Sequence, residues 1–212
     1  MPRWIWILLS VAVAALLWAA NRGSSAPVGR AVPGQAAFSC TLPPPASPLE
    51  PRQTGVSGEM QPFVHGDFLV LPLAEFSIEA RVLGREDYRF DAAAALSPTD
   101  LALGWNAMAH PLNYRRLDIS QSNRWYHYRW DAGGPPLPLD EIIRSSANMH
   151  LIPANETVAR ALSRVRPDQT VRIQGWLVEA RSDDQVWRSS TTREDSGAGA
   201  CELIYVCAIS SF

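Results

Sequence analysis

The stretch Thr170–Ala180, Thr-Val-Arg-Ile-Gln-Gly-Trp-Leu-Val-Glu-Ala, decides the reading of the fold. Val171, Ile173, Gly175, Leu177 and Ala180 mix with Arg172, Gln174 and Glu179, the near-alternation of a half-buried strand rich in β-branched and aromatic residues. Gly175 at its middle marks a bulge or bend of the kind that curves a strand in a small barrel. Two more strands follow at hairpin spacing: Val186–Thr192 after the turn Ser182-Asp183-Asp184, and Cys201–Ile209 after the loop Glu194–Gly199. The pattern predicts three antiparallel strands meandering over one apolar face.

Working outward, Asn155 caps a predicted helix over 156–165, in which Val158, Ala161, Leu162 and Val165 keep i, i+3, i+4, i+7 spacing. Asn148–Ile152 reads as a buried strand, and Glu141–Ser146 fits either element. Between Ile119 and Trp130 lies the most aromatic run. As one strand it sets Arg124, Tyr126, Tyr128 and Trp130 on one face and Trp125, His127 and Arg129 on the other. Ser97-Pro98-Thr99-Asp100 resembles a helix start, an N-cap serine with proline at the first position, and Gly104 closes it. Phe68–Leu73 and Phe76–Leu83 read as two strands around Pro72. The fold class is therefore mainly β with two short helices. A helix packed between early strands and a closing meander points to a small OB-like antiparallel β-barrel.

Ahead of this body, Trp4–Ala20 is seventeen residues without a charge, with Trp4, Trp6 and Trp18 at its ends. That is the short end of a transmembrane helix with aromatic belts. A cleaved signal peptide is the rival, but Ser24-Ser25-Ala26 is followed directly by Pro27, a poor cleavage context. The reading is a signal anchor and transmembrane helix over 1–22, a Pro-rich linker over 23–62 and a β-rich globular domain over 63–212. The linker carries seven prolines between Pro27 and Pro51 and suits extended polyproline II, a spacer that holds the body off the membrane.

At 47% hydrophobic and 19% charged the chain is ordinary for a globular fold. All 19 basic residues are arginine. Residues 31–212 hold sixteen of them against 21 acids, a net charge of −5. A mildly acidic body argues against nucleic-acid binding, which needs a basic footprint.

The four histidines, His65, His110, His127 and His150, show no metal-ligand spacing, so the sequence implies no metal and no cofactor. Cys201 follows a glycine-rich loop and becomes a candidate nucleophile if His150 lies beside it. Its plainer role is a buried strand start or a disulfide. Cys201 and Cys207 lie on one strand and cannot bridge each other, which leaves Cys40–Cys201 or Cys40–Cys207. For binding, Arg124, Tyr126, Tyr128 and Trp130 offer a stacking platform with a guanidinium fork. The same rings would equally fill a core. Arg188, Arg193, Glu194 and Asp195 read as a solvated rim.

Several phrases together resemble a group of uncharacterised bacterial membrane-anchored proteins with a single N-terminal span. They include Ser120-Gln121-Ser122-Asn123-Arg124-Trp125-Tyr126, Ser146-Ala147-Asn148-Met149-His150-Leu151-Ile152-Pro153-Ala154 and Gly197-Ala198-Gly199-Ala200-Cys201-Glu202-Leu203. The likeness covers about residues 75–207 and implies an ordered domain of bacterial origin. It implies no mechanism. With no catalytic motif in view, the expected function is a membrane-anchored envelope binding or assembly module. It would sit in the inner membrane by residues 4–20, its body in the periplasm, docking a protein or glycan partner. The alternative is an envelope hydrolase or transferase using Cys201 or His150.

Overall fold

The computed structural model describes residues 3–20, 26–35, 38–47, 50–56, 60–91, 93–192 and 200–212. The first element is helix α1 (Arg3–Ala20). Among the described residues no helix is long and apolar enough to cross a membrane. At a rise of 1.5 Å per residue α1 spans about 27 Å, against a hydrocarbon core of about 30 Å. The proposed cleavage context around Ser24-Ser25, the loop Glu194–Gly199 and Arg193 lie outside the described residues.

The body is mainly β. In chain order come β1 (Arg30–Ala31), β2 (Arg52–Gly55), β3 (Phe63–His65), β4 (Phe68–Asp87) and β5 (Thr99–Gly104). A 3-10 turn (Asn106–Ala109) and α2 (Pro111–Tyr114) lead to β6 (Asp118–Ser122), β7 (Trp125–Arg129), α3 (Leu139–Arg144) and β8 (Ser146–Pro153). Then follow α4 (Glu156–Leu162), β9 (Thr170–Arg181), β10 (Val186–Arg188) and β11 (Glu202–Ser211). All strands but β6 and β7 join one nine-stranded sheet. Its ladder runs β4-β5-β8-β11-β9 and returns to β4, since β9 also pairs with β4.

Three bulges let this circuit curve, one of them at Leu83 where β4 pairs with β5. On β4, Leu73 is the extra residue beside Pro72, where a proline that cannot donate is tolerated. The bulge flips the strand's faces. Phe68 and Val70 join one core cluster, whereas Ala74, Phe76, Ile78 and Val82 join another to which all five circuit strands contribute. On β11, the register shifts between Val206 and Ala208 opposite Gly175. A Cβ at Gly175 would collide with the Tyr205 carbonyl oxygen, so the glycine is what allows the strands this close. Helix α4 starts as expected, the Asn155 side chain accepting from Val158 N at 3.1 Å, and ends at Leu162 rather than 165. Val158, Leu162 and Val165 close one side of the five-strand cluster.

Three expectations need correction. The segment read as a helix at 97–104 is β5, with all six of its residues buried. Its capping signals lose to tertiary packing because Leu101 and Leu103 bury on one face while Asp100 and Ala102 bury on the other. The aromatic run is no single strand but a hairpin, β6–β7. The closing meander is also absent. β10 and β11 both lie against β9, and β11 pairs in parallel with β8, so the sheet is not wholly antiparallel.

The stretch expected as a spacer instead clasps the body. Trp176 Nε1 donates to Thr41 O at 2.9 Å, Gln174 Nε2 to Pro43 O at 2.6 Å and Ser77 Oγ to Pro44 O at 2.7 Å. Strand β1 pairs with β3, β2 pairs with β4, and the Phe38 ring centroid lies 4.3 Å from that of Phe63. Cys40 is disulfide-bonded to Cys207, the bulge residue of β11, with Cα atoms 5.6 Å apart. The Cys40–Cys201 pairing is thus not formed. Because the bridge closes a loop across 167 residues, removing it by Cys40→Ala with Cys207→Ala should cost about 2–5 kcal/mol. That lowers the melting temperature by roughly 5–15 °C, whereas Cys201→Ala should shift it far less; calorimetry checks both.

His65 sits beside Tyr205, ring centroids 5.3 Å apart, with neither ring nitrogen hydrogen-bonded. Burial pushes its imidazole down to about 4. The unfolded chain therefore binds the proton more readily, so stability present above pH 6.5 is lost as pH falls toward 4. The loss amounts to about 3 kcal/mol. Denaturant titrations from pH 7 to 4 should show this decline, and His65→Leu should flatten it.

Candidate functional site

The β5–β8 register sets Asp100 directly opposite His150 and Ala102 opposite Asn148. Asp100, Asn148 and His150 therefore share one face, at 0%, 3% and 2% exposure. Buried polar groups of this kind need partners, and a buried carboxylate needs a cation. The cation is Arg124, delivered by the β6–β7 hairpin.

Asn123 and Arg124 form the two-residue tip of that hairpin, with φ of 52° and 69°. Paired positive φ values match the primed turn that suits a right-twisted hairpin. Asparagine takes this conformation readily and arginine does not, so contacts must hold Arg124 there. They are numerous. Nη1 donates to Ser97 O at 2.8 Å and Asp100 Oδ1 at 3.0 Å, while Nε and Nη2 grip Asp91 in a fork at 2.9 and 2.8 Å. The guanidinium carbon lies 3.7 Å from the centroid of the Tyr88 ring, and the Arg124 backbone N–H donates to Tyr88 Oη at 3.1 Å. Asn148 Nδ2 donates to Arg124 O and Asp100 Oδ2, and Gln121 Nε2 donates to Asn148 Oδ1.

His150 Nδ1 lies 2.9 Å from Asp100 Oδ2, within ion-pair range but without hydrogen-bond alignment. The Trp187 ring covers it, centroids 4.6 Å apart. Although burial opposes ionisation, hydrogen bonds and charge from Arg124 hold the Asp91 carboxyl below its ordinary range. Burial, with Asp100's charge adding to it, pushes the Tyr88 phenol up to about 12. This is a charge-compensated scaffold, buried at Asp100, Asn148 and His150 and open to solvent at Asp91.

The other predicted binding residues separate. Arg124 is at the turn, off the strand face assigned to it. Tyr126 and Tyr128 point inward, ring centroids 5.5 Å apart, and Tyr126 Oη reaches Ser146 Oγ at 3.5 Å. Tyr128 packs on the cluster of Met108, Tyr114, Leu117 and Ile142. Burial raises both phenols. Trp130 stays 39% exposed, as does Trp125 at 41%. Cys201 immediately precedes β11, whose parallel ladder begins at Glu202 opposite Met149, so it lies at the Asn148 end of β8. Arg188, read as rim, pairs with the buried carboxylate of Glu179 together with Arg181. Among the described residues no three His, Cys, Asp or Glu side chains gather to hold a metal.

Above the Arg124 scaffold opens a hollow of about 530 Å³. It is lined by the connection after β4 (Asp87, Tyr88, Arg89, Phe90, Asp91, Ala93), the hairpin tip and Gln185. Sequence reasoning missed Asp100, Asp91, Tyr88 and Trp187, which become one site only when β5, β10 and the connection after β4 meet. The polar run Ser120–Asn123 between Ile119 and the aromatic residues from Trp125 was the available signal for the turn. No protein-family model, no curated protein and no solved structure matches this chain.

Asp100→Ala should cost about 1–3 kcal/mol, because Arg124 keeps its Asp91 fork while Arg124 Nη1 and Asn148 Nδ2 each lose a buried acceptor. The double variant Asp100→Asn with Arg124→Met should lose less than the sum of its single variants by about 1–3 kcal/mol. Urea denaturation of the four proteins measures this coupling; additive losses would show that the pair does not act as a unit.

Proposed function

We propose that this chain is a membrane-anchored envelope module whose small OB-like barrel docks a protein or glycan partner. The closed circuit β4-β5-β8-β11-β9, with α4 between its third and fourth strands in chain order, supports the barrel assignment. The observation that carries the function is the position of the hollow. It lies between the loop joining the first two circuit strands, the loop after β9 and the hairpin laid over β5–β8. In OB-type barrels the second and third strands and these two loops are where ligands bind.

The anchor is residues 4–20 in the inner membrane, with the barrel in the periplasm. A disulfide between Cys40 and Cys207 supports an oxidising compartment. Five residues separate Ala20 from Ala26, a reach of at most about 22 Å, and from there the chain already clasps the barrel. The module therefore works close to the bilayer.

A hydrolase or transferase reading with Cys201 or His150 draws on the carboxylate beside His150. It requires Trp187 and the hairpin to lift away, and it predicts an activity lost in His150→Gln at unchanged substrate binding.

The docking reading is tested by a photo-crosslinking residue at Gln185 in cells, with the same residue at exposed Arg164 beyond α4 as control. A discrete adduct at 185 and none at 164 is expected, fading at least about fivefold in Phe90→Ser, since rim aromatics carry such contacts. Equal labelling at both positions, or none at 185, overturns it.

A further inference from the structure

The hollow's chemistry narrows its occupant. Two acids, Asp87 and Asp91, and two arginines, Arg89 and Arg124, line it, so its formal charges cancel; Asp91 pairs with Arg124 at 2.8 Å, and Asp87 pairs with Arg85, outside the lining, at 2.7 Å. The lining thus presents no net field to attract a phosphate backbone or a strongly basic peptide. What it presents is ring faces and planar amides. Phe90 is 100% exposed, and Trp125, next to Arg124, is 41% exposed. Asn123 and Gln185 each offer a donor and an acceptor, the pairing that vicinal hydroxyls require. The volume lies within the range of about 300–1,000 Å³ usual for ligand sites. The floor is preorganised, because Arg124 is held by Asp91, Asp100, Ser97 and the Tyr88 ring.

We propose that this hollow binds a neutral oligosaccharide, an inference that rests on the binding-module reading and names its ligand class. The Phe90 ring stacks on the C–H face of a sugar, and Asn123 and Gln185 hydrogen-bond its hydroxyls. Arg124 takes no direct part as a cation, because its charge is spent on Asp91 and Asp100. Its task is to hold the hairpin tip in place.

The test uses the full chain in nanodiscs, titrated calorimetrically with chitotriose, cellotriose and maltotriose. A sulfated heparin fragment and an oligo-arginine peptide serve as charged comparators. At least one neutral trisaccharide should bind saturably, with affinity changing less than about twofold between 50 and 500 mM salt. Phe90→Ala should weaken it about tenfold, and Asn123→Gly should weaken it as well. Phe90 is fully exposed, so its variant keeps the parent melting temperature and reports on binding alone. Binding only to the charged comparators, no neutral sugar binding, or sugar binding untouched by Phe90→Ala each overturns the inference. If crosslinking at Gln185 traps a protein while every sugar fails, the docking module stands and its ligand is a polypeptide. If both fail, both readings fall.

Discussion

The pairing of β9 with β4 over twelve positions, from Leu69↔Arg181 to Arg81↔Thr170, is the constraint on which the rest of the molecule depends. A sheet that returns to its own first strand leaves the circuit without an open edge, and it must then curve. The Leu73 bulge and the Gly175 contact supply that curvature. The Leu73 bulge also turns β4 over, so that one strand feeds two cores. Before it, even-numbered residues pack with Trp176 and Tyr205; after it, they pack with Leu101, Ile173 and Val206.

Closure leaves an apolar face outside the circuit, made of Trp176, Val178, Leu203 and Tyr205, and a face of that kind needs a cover. The N-terminal segment provides it, with Phe38 and Cys40 against this cluster and carbonyls at Thr41 and Pro43 for Trp176 and Gln174. Prolines suit that role because extended backbone with few N–H donors lies across a sheet without competing for its ladder. The disulfide pins the segment at the bulge, where the extra residue of β11 meets it. Cover and anchor are thus the same stretch of chain.

The adjoining outer face of β5 and β8 carries the polar arrangement. Asp100, Asn148 and His150 would be a costly buried cluster if left bare. The hairpin tip neutralises them with Arg124, and the same guanidinium fixes the loop through Asp91 and Tyr88. One side chain therefore joins the sheet, the hairpin and the rim of the hollow. Asp91, Asp100, Arg124 and Tyr88 are thereby committed to each other.

Local pattern alone was enough for the long β9 strand with its central glycine, for the buried strand at 148–152 and for the helix behind Asn155. In each, periodicity and capping agree with the final environment. That any bridge would have to use Cys40 also followed from the sequence, since strand geometry forbids Cys201–Cys207; that one forms, and that it takes Cys207, waited on the bulge that aims it. Residues 97–104 carry helix-start chemistry and still form a strand, because burial on both faces outweighs a capping preference of about 1 kcal/mol. The aromatic run split at Asn123-Arg124 because a turn is decided by two backbone angles, which alternation does not reveal. The Asp100, Asp91, Tyr88 and Trp187 arrangement had no signature, since its members come from three separate segments and meet only once the circuit closes. Short-range pattern determined which segments were apolar on one face. Tertiary structure decided which faces met, because pairing partners, bulges and buried charges are settled by contacts between residues far apart in the chain.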